Sequence, residues 1–257
     1  MATQTEPPPT TDPEARAPGG GEMTLLEHLL ELRTRLMWSA IAVTVGMTAF
    51  FIPPIGFRVI EFLIQPGETA LPGFKPQYIE PIENIATYFR VALLGGIAAG
   101  MPVVVYQVLR FVTPALTVGE KRWIYPIVLG ASLAFRGGMA FGYYVVLPVT
   151  LEFLLTFGSE FAEPNIRIGN YIGFVTRMLL IMGLVFETPL IVMGFAKLGV
   201  VNARQLWRRW RFAIVGCTVL AAVVTPTIDP VTQLLVAGPM LLLYFVGIGL
   251  AWLVRRN

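Results

Sequence analysis

Apolar residues in this chain come in long unbroken runs, without the polar interruptions that mark one-sided soluble helices. Six runs stand out, at about residues 36–52, 85–111, 124–147, 174–198, 212–224 and 231–254. Crossing a hydrocarbon core takes about 20 helical residues, with a range of about 17–25. Five of the six runs reach that length, and none alternates with the two-residue period of a barrel strand. The pattern predicts an all-α membrane protein with six transmembrane helices. The fifth run, Phe212–Val224, is the exception. As a helix it would be about 20 Å long against a core of about 30 Å. The polar stretch "TPTIDP", Thr225–Pro230, follows immediately and must turn the chain. Either the bilayer thins there or the hairpin dips below the surface. The simpler alternative is a span extended through Thr225–Ile228.

The segments between the runs are organised by proline, glycine and charge. Residues 1–22 are rich in proline and threonine and hold no apolar core, so they read as a disordered tail and not as a secretory signal. Residues 23–257 then form one membrane domain. The longer connections, about 53–84 and 148–173, are expected to be loops, neither large enough to be a separate domain. Arginine and lysine decide the orientation. With six spans, one side holds Arg16, Arg33, Arg35, Arg110, Lys121, Arg122, Lys197, Arg204, Arg208, Arg209, Arg211, Arg255 and Arg256. The other holds only Arg58, Lys75, Arg90, Arg167 and Arg177, with Arg136 inside the third span. Both termini are expected to be cytoplasmic.

Composition agrees with the pattern and removes alternatives. Of the 257 residues, 55% are hydrophobic and 14% charged, against about 25% charged in soluble domains. The net charge of +3 would hint at nucleic acid in a soluble protein, but here the basic residues are topological. Cys217 is the only cysteine and His28 the only histidine, so neither a disulfide within the chain nor a Cys/His metal site can be built. No phosphate-binding G-x-x-x-x-G-K-[ST] occurs, and no serine sits in a G-x-S-x-G turn. An enzyme is not expected, and no cofactor is implied.

The polar residues that do occur carry the candidate chemistry. In "MTLLEHLLELRTRL", Met23–Leu36, Thr24 and Glu27 have capping-box spacing, so a helix is expected to begin here at the membrane interface. Glu27 reads as a cap and His28 as a packing residue. Glu31 precedes Arg35 by four residues, the favourable order for an intrahelical ion pair worth about 0.3–0.5 kcal/mol. Glu120 is the only acid in either connection on that face, and it sits beside Lys121 and Arg122. A carboxylate in a basic setting can also receive a guanidinium from outside through paired hydrogen bonds. Glu187, two residues before Pro189, falls inside the fourth span, where a carboxylate costs at least about 2.5–3.5 kcal/mol unless it faces the protein interior. It reads as a proton site, a contact for a partner helix, or a structural hydrogen bond. Gln107, Thr225, Asp229 and Gln233 are further polar residues in or near spans, suited to lateral contacts or to satisfying backbone at kinks.

Five motifs in order resemble one family. "HLLELRTR" (His28–Arg35), "FVTPALTVGEKR" (Phe111–Arg122), "GMAFGYYVVLP" (Gly138–Pro148), "VFETP" (Val185–Pro189) and "TPTIDPVTQ" (Thr225–Gln233) together resemble TatC, the multi-spanning receptor of twin-arginine protein export. The resemblance runs from about Met23 to the C-terminus and leaves the proline-rich tail uncovered. It implies a cupped six-helix bundle with short final spans in the cytoplasmic membrane of a prokaryote. It implies that Glu31 and Glu120 bind the two arginines of signal peptides on folded precursors, with Arg33 and Arg35 holding those acids. It makes Glu187 the family's intramembrane glutamate. It places the polar surface for single-span TatA and TatB partners at Thr225, Asp229 and Gln233. Transport would draw on the proton-motive force, within a complex holding several copies of the chain. The competing reading is a proton-coupled secondary transporter with Glu187 as coupling site and Pro102, Pro189 and Pro239 as hinges.

Overall fold

The structure, a computed structural model, describes residues 25–112, 124–157, 165–197, 199–225 and 229–254. These residues form helices throughout, in the order α1 Leu25–Phe50, α2 Pro53–Ala70, α3 Pro81–Val112, α4 Ile124–Phe141, α5 Leu147–Thr156, α6 Ile168–Phe186, α7 Thr188–Lys197, α8 Ala203–Arg208, α9 Trp210–Val224 and α10 Pro230–Val254. Four continuous helical units are long and apolar enough to cross a membrane: Pro81–Phe111, Ile124–Thr156, Ile168–Lys197 and Pro230–Leu253. A fifth crossing arises if α1 and α2 count as one span, bent by 90° at residues 51–52. Helix α9 is apolar but short, as its sequence predicts.

Prolines shape these helices because each removes one N–H from the ladder. Pro53 and Pro54 begin α2 at the first turn, where that N–H has no partner to lose. The connection 53–84, expected to be a loop, therefore holds an 18-residue helix. Pro148 follows a π-helical turn, Gly142–Val146, in which Leu147 N–H reaches back five residues to Gly142 O. The third helical unit does not end at Leu147 as its hydropathy suggests; it continues through α5 to Thr156. Pro189 marks the break between α6 and α7, with Glu187 at the hinge. The fourth unit also starts earlier than its apolar run, at Ile168. The predicted capping Thr24 and the tail before it lie outside the described residues.

Interior Pro66 of α2 shows how the bundle repairs such a gap. Phe62 O, freed by the missing N–H, accepts the hydroxyl of Tyr143 at 2.7 Å. One residue on, the Tyr171 hydroxyl accepts Gly67 N–H at 3.0 Å and donates to Leu63 O at 3.1 Å. Two tyrosines from different units thus fasten α2 across the end of the bundle. Tyr171→Phe leaves a buried donor and acceptor unpaired, so it should cost about 1–3 kcal/mol. Thermal unfolding in detergent should show Tyr171→Phe melting well below the native chain, with Tyr143→Phe less affected because it strands one acceptor only.

The main core lies where α3, α4–α5 and α6 meet. Val146, Leu147, Ile172, Val175, Met178 and Met182 are fully buried there. Close approaches depend on glycine: a Cβ on Gly138 would run into Met182 O of α6. At the end capped by α2, Gln77 and Arg167 form an isolated bridge, with Ile168 N–H donating to Gln77 O at 2.8 Å. A smaller cluster at the opposite end joins α7, α8 and α10 around Ala196, Ala203, Ile248 and Ala251. There Tyr244 donates to Leu206 O at 2.9 Å and holds α8 in place. Large apolar side chains such as Leu36, Val45, Leu129, Val223 and Leu242 remain exposed, as expected of faces turned to lipid.

Candidate functional site

Helix α1 begins well before its apolar run, so its first turns carry charge along one side. Residues 27, 31 and 35 are spaced by four and recur on that side. At its other end, α1 packs so tightly on α3 that the two backbones touch around Gly46 and Gly96. That contact fixes the register of α1 against the last turns of α3. His28 stacks on Phe111, with ring centroids 4.3 Å apart. The packing role expected of His28 is what the structure shows.

Beside that stack, Arg35 Nη2 contacts Glu31 Oε1 at 3.0 Å, the ion pair expected from the spacing. Arg35 Nη1 also donates to Gln107 Oε1 of α3 at 3.3 Å. The second carboxylate oxygen, Glu31 Oε2, is buried without a hydrogen-bond partner among the described residues, as is Arg35 Nε. The ion pair therefore engages one of the two Glu31 oxygens and one of the five guanidinium N–H groups, with a second N–H on Gln107. A half-satisfied carboxylate with about a fifth of its side chain exposed is primed to accept a further donor. Gln107 thus joins this cluster. Arg33 is exposed. Glu120 lies outside the described residues.

Glu187 sits elsewhere, at the α6–α7 break. It is 7% exposed, and its Oε1 has no partner among the described residues. Its own N–H turns back to Leu184 O at 3.1 Å, so the break tightens into a three-residue turn. Next to it, Pro189 and Val192 of α7 lie against Gly247 of α10, where a Cβ would approach within 3.1 Å.

The polar residues at α9 and α10 have local tasks. Asp229 Oδ1 accepts Thr232 N–H at 2.6 Å and caps α10. Gln233 Nε2 donates to Thr218 O of α9 at 3.2 Å, tying the two helices together. Thr225 bonds back to Ala221 O at 2.8 Å. Each of these polar groups bonds backbone within the chain, one of the two roles that their positions suggest. The tyrosines that hold α2 were missed altogether. A proline within a helix opposite tyrosines in other spans is the signal that could have pointed to them.

Similarities to known proteins extend over nearly the whole chain. The family model for the Sec-independent protein translocase protein TatC matches residues 27–239. The Sec-independent protein translocase protein TatC of Synechocystis is 38% identical over 241 residues, covering 93% of this chain and 92% of its own length. That of Koribacter versatilis is 36% identical over 257 residues, covering 97% and 94%. The chloroplastic protein of Arabidopsis thaliana is 38% identical, covering 93% of this chain and 68% of its own length. A crystal structure of the twin-arginine translocase receptor TatC superposes with a TM-score of 0.78 at 36% identity, over 90% of this chain and all of that one. The transporter reading of Glu187 finds no support in these similarities. Matched motifs, helical architecture and near-complete coverage agree: the chain is a membrane protein of the TatC family of Sec-independent protein translocase components.

Proposed function

We propose that this chain is the receptor for twin-arginine signal peptides and the scaffold of the translocase in the cytoplasmic membrane of a prokaryote. The observation that carries the reading is the half-paired Glu31 carboxylate, buried on one oxygen beside Arg35 and Gln107. One incoming guanidinium binds Glu31 and the second binds Glu120, each through charge-assisted hydrogen bonds. Arg35 holds Glu31 in the required rotamer, while Arg33 supplies positive potential that orients the chain. Both termini face the cytoplasm. Six crossings result when α1 with α2 is counted as one span and short α9 as another. Single-span TatA- and TatB-like partners pack against α9 and α10 near Thr225, Asp229 and Gln233, with Glu187 and Gln107 as further polar contacts. Several copies assemble in the working complex, and the proton-motive force drives transport.

A charge exchange tests the recognition step. A signal peptide with two acids in place of its arginines should crosslink to a Glu31→Arg, Glu120→Arg double variant and not to the native chain. Failure of the exchanged pair to crosslink, in a double variant that melts like the native chain, would overturn direct contact at these positions.

A further inference from the structure

At the end of the bundle capped by α2, a groove of about 750 Å³ opens between α3, α5 and α6. Its walls are mostly apolar, with Leu93, Ile97, Leu154 and Leu180 among them, yet it also carries Arg90 and Arg177. Gly169, Gly173 and Arg177 recur every four residues and form one stripe along α6. Arg90 reaches across from α3 onto that stripe. It donates to Gly169 O at 2.8 Å, and a Cβ on Gly173 would stand 3.1 Å from its Nη1. Arg177 follows one turn further along, about 6 Å by helical rise. The two guanidiniums thus face one groove at neighbouring heights.

Among the described residues, none lining the groove is acidic. Two carboxylates near the start of α3 are engaged elsewhere. Glu83 accepts Gly169 N–H at 3.0 Å and Ile79 N–H at 3.1 Å, and Glu80 lies 3.8 Å from Arg167. Arg177 has no hydrogen bond or ion pair among the described residues. Both arginines stand nine residues from the start of their helices, about 13 Å along the axis. A cation within a membrane-spanning helix needs a counter-charge. A planar guanidinium pairs best with the two oxygens of a phosphate.

We propose that this groove binds an anionic phospholipid from the leaflet on the α2 side, the outer leaflet in the orientation given above. Its phosphate lies between Arg90 and Arg177, and an acyl chain follows Leu93, Ile97 and Leu180. A free phosphate would leave those apolar walls unused, and a zwitterionic headgroup would bring an ammonium to a lining with no acid among the described residues.

Native mass spectrometry of the full chain in neutral detergent tests the site with phosphatidylglycerol, phosphatidylcholine and inorganic phosphate as probes. The native chain should hold phosphatidylglycerol about tenfold more tightly than phosphatidylcholine, and millimolar phosphate should not displace it. Arg177→Gln should weaken phosphatidylglycerol about tenfold, and Arg177→Lys should recover part of the loss. Adding Arg90→Gln to Arg177→Gln should weaken it further. Because Arg177 is exposed and makes no hydrogen bond or ion pair among the described residues, its replacement is expected to spare the fold, and that variant decides the matter alone if the double variant fails to fold. Unchanged affinity in Arg177→Gln, equal binding of the two lipids, or displacement by phosphate would each overturn the proposal.

Discussion

Glu31→Lys is expected to abolish crosslinking of a twin-arginine signal peptide to this chain and to stop export of its precursor. Charge-assisted hydrogen bonds contribute about 1.5–3 kcal/mol each, so losing one weakens binding about 10- to 150-fold. Reversal does more than delete the bond. The new ammonium stands beside Arg35, which Glu31 contacts at 3.0 Å, so an incoming guanidinium meets two cations and no carboxylate. Glu31→Gln removes only the charge and should retain weak binding. A structural explanation is separable: if Glu31 served only to neutralise Arg35, then Glu31→Gln with Arg35→Gln would restore a satisfied, uncharged pair and with it normal crosslinking. Crosslinking should stay low in that double variant. Native crosslinking by Glu31→Lys would remove the recognition role from this helix.

The second large effect concerns the contact that places Glu31. A Cβ on Gly96 would lie 2.7 Å from both Met47 N and Val43 O, all backbone atoms of α1. A Cβ on Gly46 would lie 2.9 Å from Gly96 O. No rotamer change relieves such overlaps; the helices must separate. Gly96→Val should therefore destabilise the chain by about 3 kcal/mol, the upper part of the range for overpacking. Separation of α1 from α3 also pulls Arg35 from Gln107, so signal crosslinking should fall along with the melting temperature. Gly137 in α4 is the matching control, since nothing lies within 4 Å of a Cβ there. Gly137→Ala should be neutral or gain up to about 1 kcal/mol from helix propensity. Equal melting of the Gly96 and Gly137 variants would show that the α1–α3 approach does not limit stability.

Helix positions were legible because apolar runs reflect the bilayer, a solvent that acts residue by residue. The second, fifth and sixth runs match α3, α9 and α10 within a few residues. Boundaries failed where hydropathy is not what decides. Helix α2 is built on its initial prolines and on hydroxyls from Tyr143 and Tyr171, 81 and 108 residues away in sequence. Helix α5 extends past Leu147 because a π-helical turn absorbs Pro148.

The candidate site divides in the same way. Spacing alone gives the Glu31–Arg35 pair, since four residues on a helix are neighbours whatever surrounds them. It cannot give Gln107, which arrives from α3 only because glycines let the two helices close. Nor can it show that Glu31 keeps one buried oxygen unpaired. What the sequence determined by itself was the class of protein, the membrane helices and the residues able to carry charge chemistry, because those depend on local composition and helical period. What only the tertiary structure decided was which of those residues meet. Asp229 caps α10, Gln233 ties it to α9, and Arg90 and Arg177 come to share one groove, because such contacts are fixed by packing between distant segments.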